Sequence, residues 1–215
     1  MSDFPLIGPS SVGLIARLKP PLGDSRTAEA PLRQALQIAT NDVHQRLHEH
    51  PALAAVLNGS VDRDDYVRLL CRMYGFYQPF EIAAQVDPVR TAWLNLDLTA
   101  LGVSTLQRSK LPRCNGFPDF TKPEAVLGAL YVVEGSALGG VALARGLDGM
   151  LGVANPEGRR FFRGREAQTG AAWRDYVLRL SMAKAEPADR ATILVTANAT
   201  FALFECWLNG WNDPS

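Results

Sequence analysis

Residues 125–144 form a 20-residue stretch with Glu134 as its sole charge, in which Gly128, Gly135, Gly139 and Gly140 are set among Leu, Val, Ala and Tyr. A segment so long and so poor in charge either spans a bilayer or forms the buried central helix of a helical fold. A carboxylate near its middle would cost about 2.5–3.5 kcal/mol on insertion scales. Its Gly, Ala and Ser residues give little apolar drive to offset that cost, so the reading is a buried helix and no membrane span. The rest of the chain must then supply the helices that cover it.

The flanking sequence has that character. From residue 31 onward Leu32, Leu36, Ala39, Val43 and Leu47 recur at spacings of three and four, which predicts an amphipathic helix ending near Pro51. A second helix starts after the cap-like Asp62 and runs through Tyr66, Leu69, Leu70, Met73 and Tyr77, with Pro79 as a kink. Further helices are expected at about 88–102, 122–152, 165–184 and 187–211. No long alternating run argues for strands, and no internal repeat is present. The expected fold is all-α, one helical domain over residues 31–215. Residues 1–30, with Pro5, Pro9, Pro20 and Pro21, read as an extended, partly disordered arm.

Composition narrows the function. With 215 residues and 47% hydrophobic content the chain suits one domain with a real core. Basic and acidic residues balance at 22 each with no basic run, so nucleic-acid binding is not expected. Cys71, Cys114 and Cys206 lie far apart without a C-x-x-C pair, which excludes a cysteine zinc cluster and fits a reducing cytoplasm. Asp3, Pro5 and Pro9 break any basic-then-apolar signal pattern, so secretion is not expected.

All three histidines, His44, His48 and His50, fall in one short stretch, so a histidine-held metal must sit on the first helix or its end. His44 and His48 share a face, but no Glu follows His44 as a zinc peptidase would require. His44 lies at the margin of the apolar stripe, while His48, before Glu49, faces water. Taken alone, a histidine at such a margin is more often a satisfied boundary residue than a ligand. One imidazole nonetheless suffices to hold haem iron.

Glycine in a helix interior costs about 1 kcal/mol relative to Ala, so the four in residues 125–144 call for a cause. Gly128, Gly135 and Gly139 share one face. Close helix packing or a kink is one explanation; the other is bare backbone meeting a flat ligand, opposite a helix that carries the axial histidine. Tyr74, Tyr77 and Glu81 form a further stripe, and Arg163, Arg165, Arg174 and Arg179 could meet anionic groups.

Taken in order, these segments resemble the haem oxygenase family, particularly its bacterial, bacteriophytochrome-associated branch. Residues 36–44, with Leu36, Ala39, Thr40 and His44, are similar to the segment that carries the proximal ligand. Tyr74, Gly75, Phe76, Tyr77 and Glu81 match a second pattern, and residues 131–140 resemble the kinked, glycine-rich distal helix. Phe161, Phe162, Thr169, Gly170 and Trp173 complete a likeness over about residues 32–210.

The resemblance implies a single-domain haem-oxygenase-like bundle in which haem is both substrate and prosthetic group. His44 would be the axial metal ligand, with Thr40, Gly140, Tyr131, Arg174 and Arg179 also contacting haem. Gly135, Ser136, Gly139 and Tyr77 would form the catalytic distal side. Haem would be cleaved to biliverdin, carbon monoxide and ferrous iron, using O2 and electrons from a ferredoxin or an NAD(P)H-dependent reductase. A biliverdin-accepting photoreceptor is an implied partner. Two positions depart from animal-type members: Ser136 stands where they have Asp after the first distal glycine, and Gln37 and Asn41 stand where they have propionate-pairing lysines. A haem carrier without turnover, or a fold relative acting on a thiamin-like or quinone-precursor ligand, are the alternatives.

Overall fold

The computed structural model describes residues 30–153, 155–183 and 186–211. The arm expected over residues 1–30 therefore lies, except for Ala30, outside the described residues. The described residues are helical and contain no strand: α1 (Leu32–His48), α2 (Pro51–Leu57), α3 (Arg63–Ala83), α4 (Val89–Ala100), α5 (Thr105–Lys110), α6 (Pro123–Gly146), α7 (Asp148–Leu151), α8 (Arg160–Arg163), α9 (Thr169–Met182) and α10 (Pro187–Leu208). A 3-10 turn, Glu166–Gln168, leads into α9.

Local chemistry sets the starts. The Asp62 side chain accepts the Asp65 N–H at 2.8 Å and caps α3. Ser104 and Gln107 form a reciprocal capping box at α5. Proline opens α2, α6 and α10, where its missing N–H costs nothing. The first helix stops at His48 and Pro51 begins a separate one, whose single pair of turns is too short to show a period. The expected helix over 122–152 divides likewise, with Leu147 between α6 and α7.

Pro79 lies inside α3 without ending it. Its missing N–H leaves the Gly75 carbonyl without a helical donor, and the Cys114 N–H fills that vacancy at 2.8 Å. The same glycine admits the Pro112 backbone and the Trp207 ring, which any side chain would strike. Residues 111–114 are thereby stitched across α3.

Helices α6 and α10 run side by side through the centre. Both are long and apolar enough to cross a membrane by length and composition alone, but here they pack on each other and on the surrounding helices. One core, rich in Phe76, Phe80 and Phe204, joins α3, α4, α6 and α10. A smaller one, with Leu36, Tyr176, Ile193 and Ala197, joins α1, α9 and α10. Tyr131 touches both cores.

Candidate functional site

Helix α1 runs parallel to α10. Along it, Arg190 donates to the Ala30 carbonyl, the His44 ring lies 6.3 Å from the Phe201 ring, and Arg46 makes a two-point pair with Glu205. Helix α6 follows α10 in the same sense, crossing it at Gly128 and Ile193 and approaching the Phe204 region through Tyr77. Both α1 and α6 therefore lean on α10, and both also touch α9, while making little direct contact with each other. Where they do meet, Tyr131 lies beside Thr40, whose hydroxyl donates to the Leu36 carbonyl at 2.8 Å. One turn beyond that contact stand His44 on α1 and Gly135 on α6. We take the space between these two helices, beyond Thr40 and Tyr131, as the candidate slot.

His44 is exposed on the slot side, next to buried Val43. Partial burial and the neighbouring His48 ring, 4.5 Å away edge-on, lower its pKa below the usual imidazole value. It is thus neutral at pH 7, the form that binds metal. His48 is exposed too, but only His44 is braced against the core by Phe201. His50 is buried at the start of α2 beside Trp211 and takes no part. Among the described residues no group of three or more His, Cys, Asp or Glu could hold a metal ion. His44 can therefore ligate only a metal that brings its other donors with it.

The glycines of α6 do different work. A Cβ on Gly128 would strike the Ile193 carbonyl, one on Gly140 the Phe162 carbonyl, and one on Gly146 the Val56 carbonyl. These three let neighbouring backbones approach. A Cβ on Gly139 would meet nothing within 4 Å, and one on Gly135 only the edge of Trp173 at 3.6 Å. Packing within the described chain requires neither, so their bare backbone is left for something else. Gly128 is thus sealed by packing although spacing sets it on the face of Gly135 and Gly139, and Gly140, about 100° round the helix from Gly139, has a packing role against Phe162.

Tyr77 is buried on α3, against Phe161 at 5.1 Å and Phe204 at 6.3 Å. Its hydroxyl meets Ser136, and Ser136 in turn donates to the Val133 carbonyl at 2.9 Å. Burial raises the Tyr77 pKa, outweighing the nearby Arg90 guanidinium and the Ser136 hydrogen bond. Tyr77 therefore stays protonated beside Ser136. Tyr74 turns elsewhere, under the Arg113 guanidinium at 4.9 Å. Glu81 caps α4 by accepting the N–H groups of Arg90 and Thr91 at 2.9 and 3.1 Å. Asp97, also buried, accepts the N–H groups of Arg160 and Phe161 at 2.6 and 2.8 Å and so seats Phe161 on Tyr77. Burial pushes its carboxyl up to about 6.

The arginines sort by geometry. Arg163 pairs with Glu166 at 3.4 Å. Arg174 and Arg179, both exposed, leave α9 about 140° apart, so they cannot both reach one edge of the slot. Sequence reasoning missed Arg33, exposed and within electrostatic reach of Tyr131. It stands eleven residues before His44, three turns along the same face, and that spacing was legible. It missed Phe201 and Arg90 as well, because neither belongs to a helix that the histidine or glycine pattern marked.

A family model described as "Heme oxygenase" matches residues 30–210. Among solved structures, haem oxygenase-1 from the cyanobacterium Synechocystis in complex with haem is 19% identical, with 84% of this chain and 91% of that one covered and a TM-score of 0.67. The haem oxygenase of Leptospira interrogans is 17% identical, covering 83% and 98% with a TM-score of 0.69. Haem oxygenase-2 of Synechocystis, in complex with haem and NO, is 22% identical over 86% of each chain, also at 0.69. At such identities these structures establish the shared fold. No curated protein matches the sequence.

Proposed function

The chain belongs to the haem oxygenase family, and we propose that it holds one haem in the slot between α1 and α6 and opens the ring to biliverdin, carbon monoxide and ferrous iron. The observation that carries the reading is the slot itself: a neutral imidazole on one wall, and on the other two glycines that no packing requires. A flat group that brings its own metal donors would suit the space between them, and the two Synechocystis structures in complex with haem share this fold. When bound, haem supplies the oxygen chemistry, with O2 and electrons from a ferredoxin or an NAD(P)H-dependent reductase.

The residues supply geometry. His44 offers a ring-nitrogen lone pair to the iron, and Phe201 fixes the imidazole's tilt. Gly135 and Gly139 leave room for a ring and a small molecule over it. Ser136 spends its proton on Val133, so its oxygen, beside Tyr77, can hold a water at the slot wall. The distal side thus works through hydroxyls and water, with Ser136 where an acid side chain would otherwise stand. Preorganised dipoles of this kind are the usual source of stabilisation for developing charge.

Thr40 and Tyr131 close one edge against the ring. Exposed Arg33, with one of Arg174 and Arg179, would meet its carboxylates. Electron supply and three reduced thiols suit the cytoplasm, where a biliverdin-accepting photoreceptor would take the product. Purified protein titrated with haem should saturate at about one equivalent, and adding reductant and O2 should replace the Soret band by biliverdin absorption. A Soret band that persists through turnover conditions identifies a carrier, and no uptake at all removes the haem reading.

A further inference from the structure

Arg90 is charged, 7% exposed, and sits on α4 beneath the turn that carries Gly135 and Ser136. Burying a guanidinium is costly unless it is paired and hydrogen-bonded. Its Nη2 donates to the Val133 carbonyl at 3.1 Å and lies 3.2 Å from a Glu134 carboxylate oxygen. The Val133 carbonyl thus receives two side-chain donors, Arg90 and Ser136, besides the Ala137 N–H that helix geometry assigns to it. Side-chain donors inserted at one carbonyl loosen the regular ladder and bend a helix there. The turn's position is then set by those side chains more than by the helix.

Arg90 is itself held in place. Glu81 accepts its N–H and both the N–H and hydroxyl of Thr91, and Glu81 lies one turn beyond Tyr77 on α3. Two arms therefore leave neighbouring turns of α3 and end on the same turn of α6: Tyr77 through Ser136, and Glu81 through Arg90. Neither Arg90 nor Glu134 lines the slot's glycine face. Their reach is to the backbone behind it.

We propose that Arg90 is a positioning residue that fixes the height of the Gly135–Ser136 turn over the slot. The inference rests on the haem-oxygenase reading above. Without the guanidinium, Val133 loses its charged donor and Glu134 is left buried without its partner. The turn is then held to α4 by no side chain, and Ser136 shifts out of register with Tyr77.

The test compares Arg90→Gln and Arg90→Lys with the wild type in three measurements: hydrogen exchange of residues 134–140 in the haem-free protein, haem affinity, and single-turnover ring opening. In the Gln variant, residues 134–140 should exchange about tenfold faster and ring opening should slow about tenfold or more, the scale of an ångström-level misplacement. Haem affinity should stay within about twofold, because His44 is untouched. Lys can donate to both oxygens, so it should restore the rate to within about threefold of wild type without reaching it. Wild-type exchange in the Gln variant, or a rate that falls only in step with haem affinity, overturns the proposal. If the Gln variant does not fold, the Lys variant decides: no change, or equal falls in rate and affinity, overturns it. Wild-type protein that takes up no haem defeats the family reading instead, while the exchange comparison still reports on Arg90.

Discussion

Gly128 and Gly135 lie two turns apart on one face of α6, yet a side chain would strike the Ile193 backbone at one and meet only the edge of the Trp173 ring, at 3.6 Å, at the other. Gly139 and Gly140 are neighbours in sequence and divide the same way: Gly140 is pressed on the Phe162 carbonyl, and Gly139 has nothing within 4 Å of where a side chain would begin. The penalty of helical glycine is the same at all four. What offsets it differs: helix-to-helix approach at one set and, in the function proposed above, a ligand at the other. The comparison teaches that a glycine's role is read from what faces its missing Cβ.

The sealed set should show the larger effect. Gly128→Ala and Gly146→Ala force a methyl into a neighbouring carbonyl, so each should cost about 1–3 kcal/mol or more in urea unfolding of the haem-free protein. An unchanged midpoint in either would mean that the helices part freely there and that the division fails. At Gly139 the signs should cross. Gly139→Ala should stabilise the haem-free helix by up to about 1 kcal/mol, while haem binding or ring opening weakens about tenfold, since an added methyl in a fitted site costs on the order of 1–3 kcal/mol. Unchanged haem affinity and ring opening would remove Gly139 from the ligand face, and a loss of stability would move it to the packing set.

A smaller, pH-dependent effect belongs to the sealed side. Asp97 caps α8, which carries Phe161 onto Tyr77 and Phe162 against Gly140. Its folded pKa, about 6, lies above the ordinary value of 3.8. The stability it contributes is therefore full below the ordinary value and is lost as the pH rises through about 6. Asp97→Asn removes that titration, so its deficit against wild type should narrow from pH 4 to pH 7. A deficit independent of pH would show that Asp97 does not titrate in this range.

Much of the fold was legible because a helix writes its period into the sequence. The apolar spacing in α1 and the cap at Asp62 led directly to the long helices. The short elements α2, α5 and α8 were not legible, since one or two turns carry no period, and α8 is held by Asp97 from another helix. The site was legible in part. His44 and the glycines stand out as candidates by type and spacing, whereas Phe201, Arg33 and Arg90 become candidates only through neighbours that the packing of α10, α6 and α4 brings near. Gly140 shows why sequence adjacency is not enough: about 100° of rotation on a helix sets it against the Phe162 carbonyl, where its neighbour Gly139 meets nothing within 4 Å.

The slot account stands on His44 as the single protein ligand to haem iron. The most direct test is the ferric absorption and electron paramagnetic resonance spectrum of haem bound to His44→Ala, with and without added imidazole. The account predicts loss of the histidine-ligated signal together with ring opening, and recovery of both when imidazole fills the vacated position. A variant whose iron spectrum matches wild type without imidazole would contradict it.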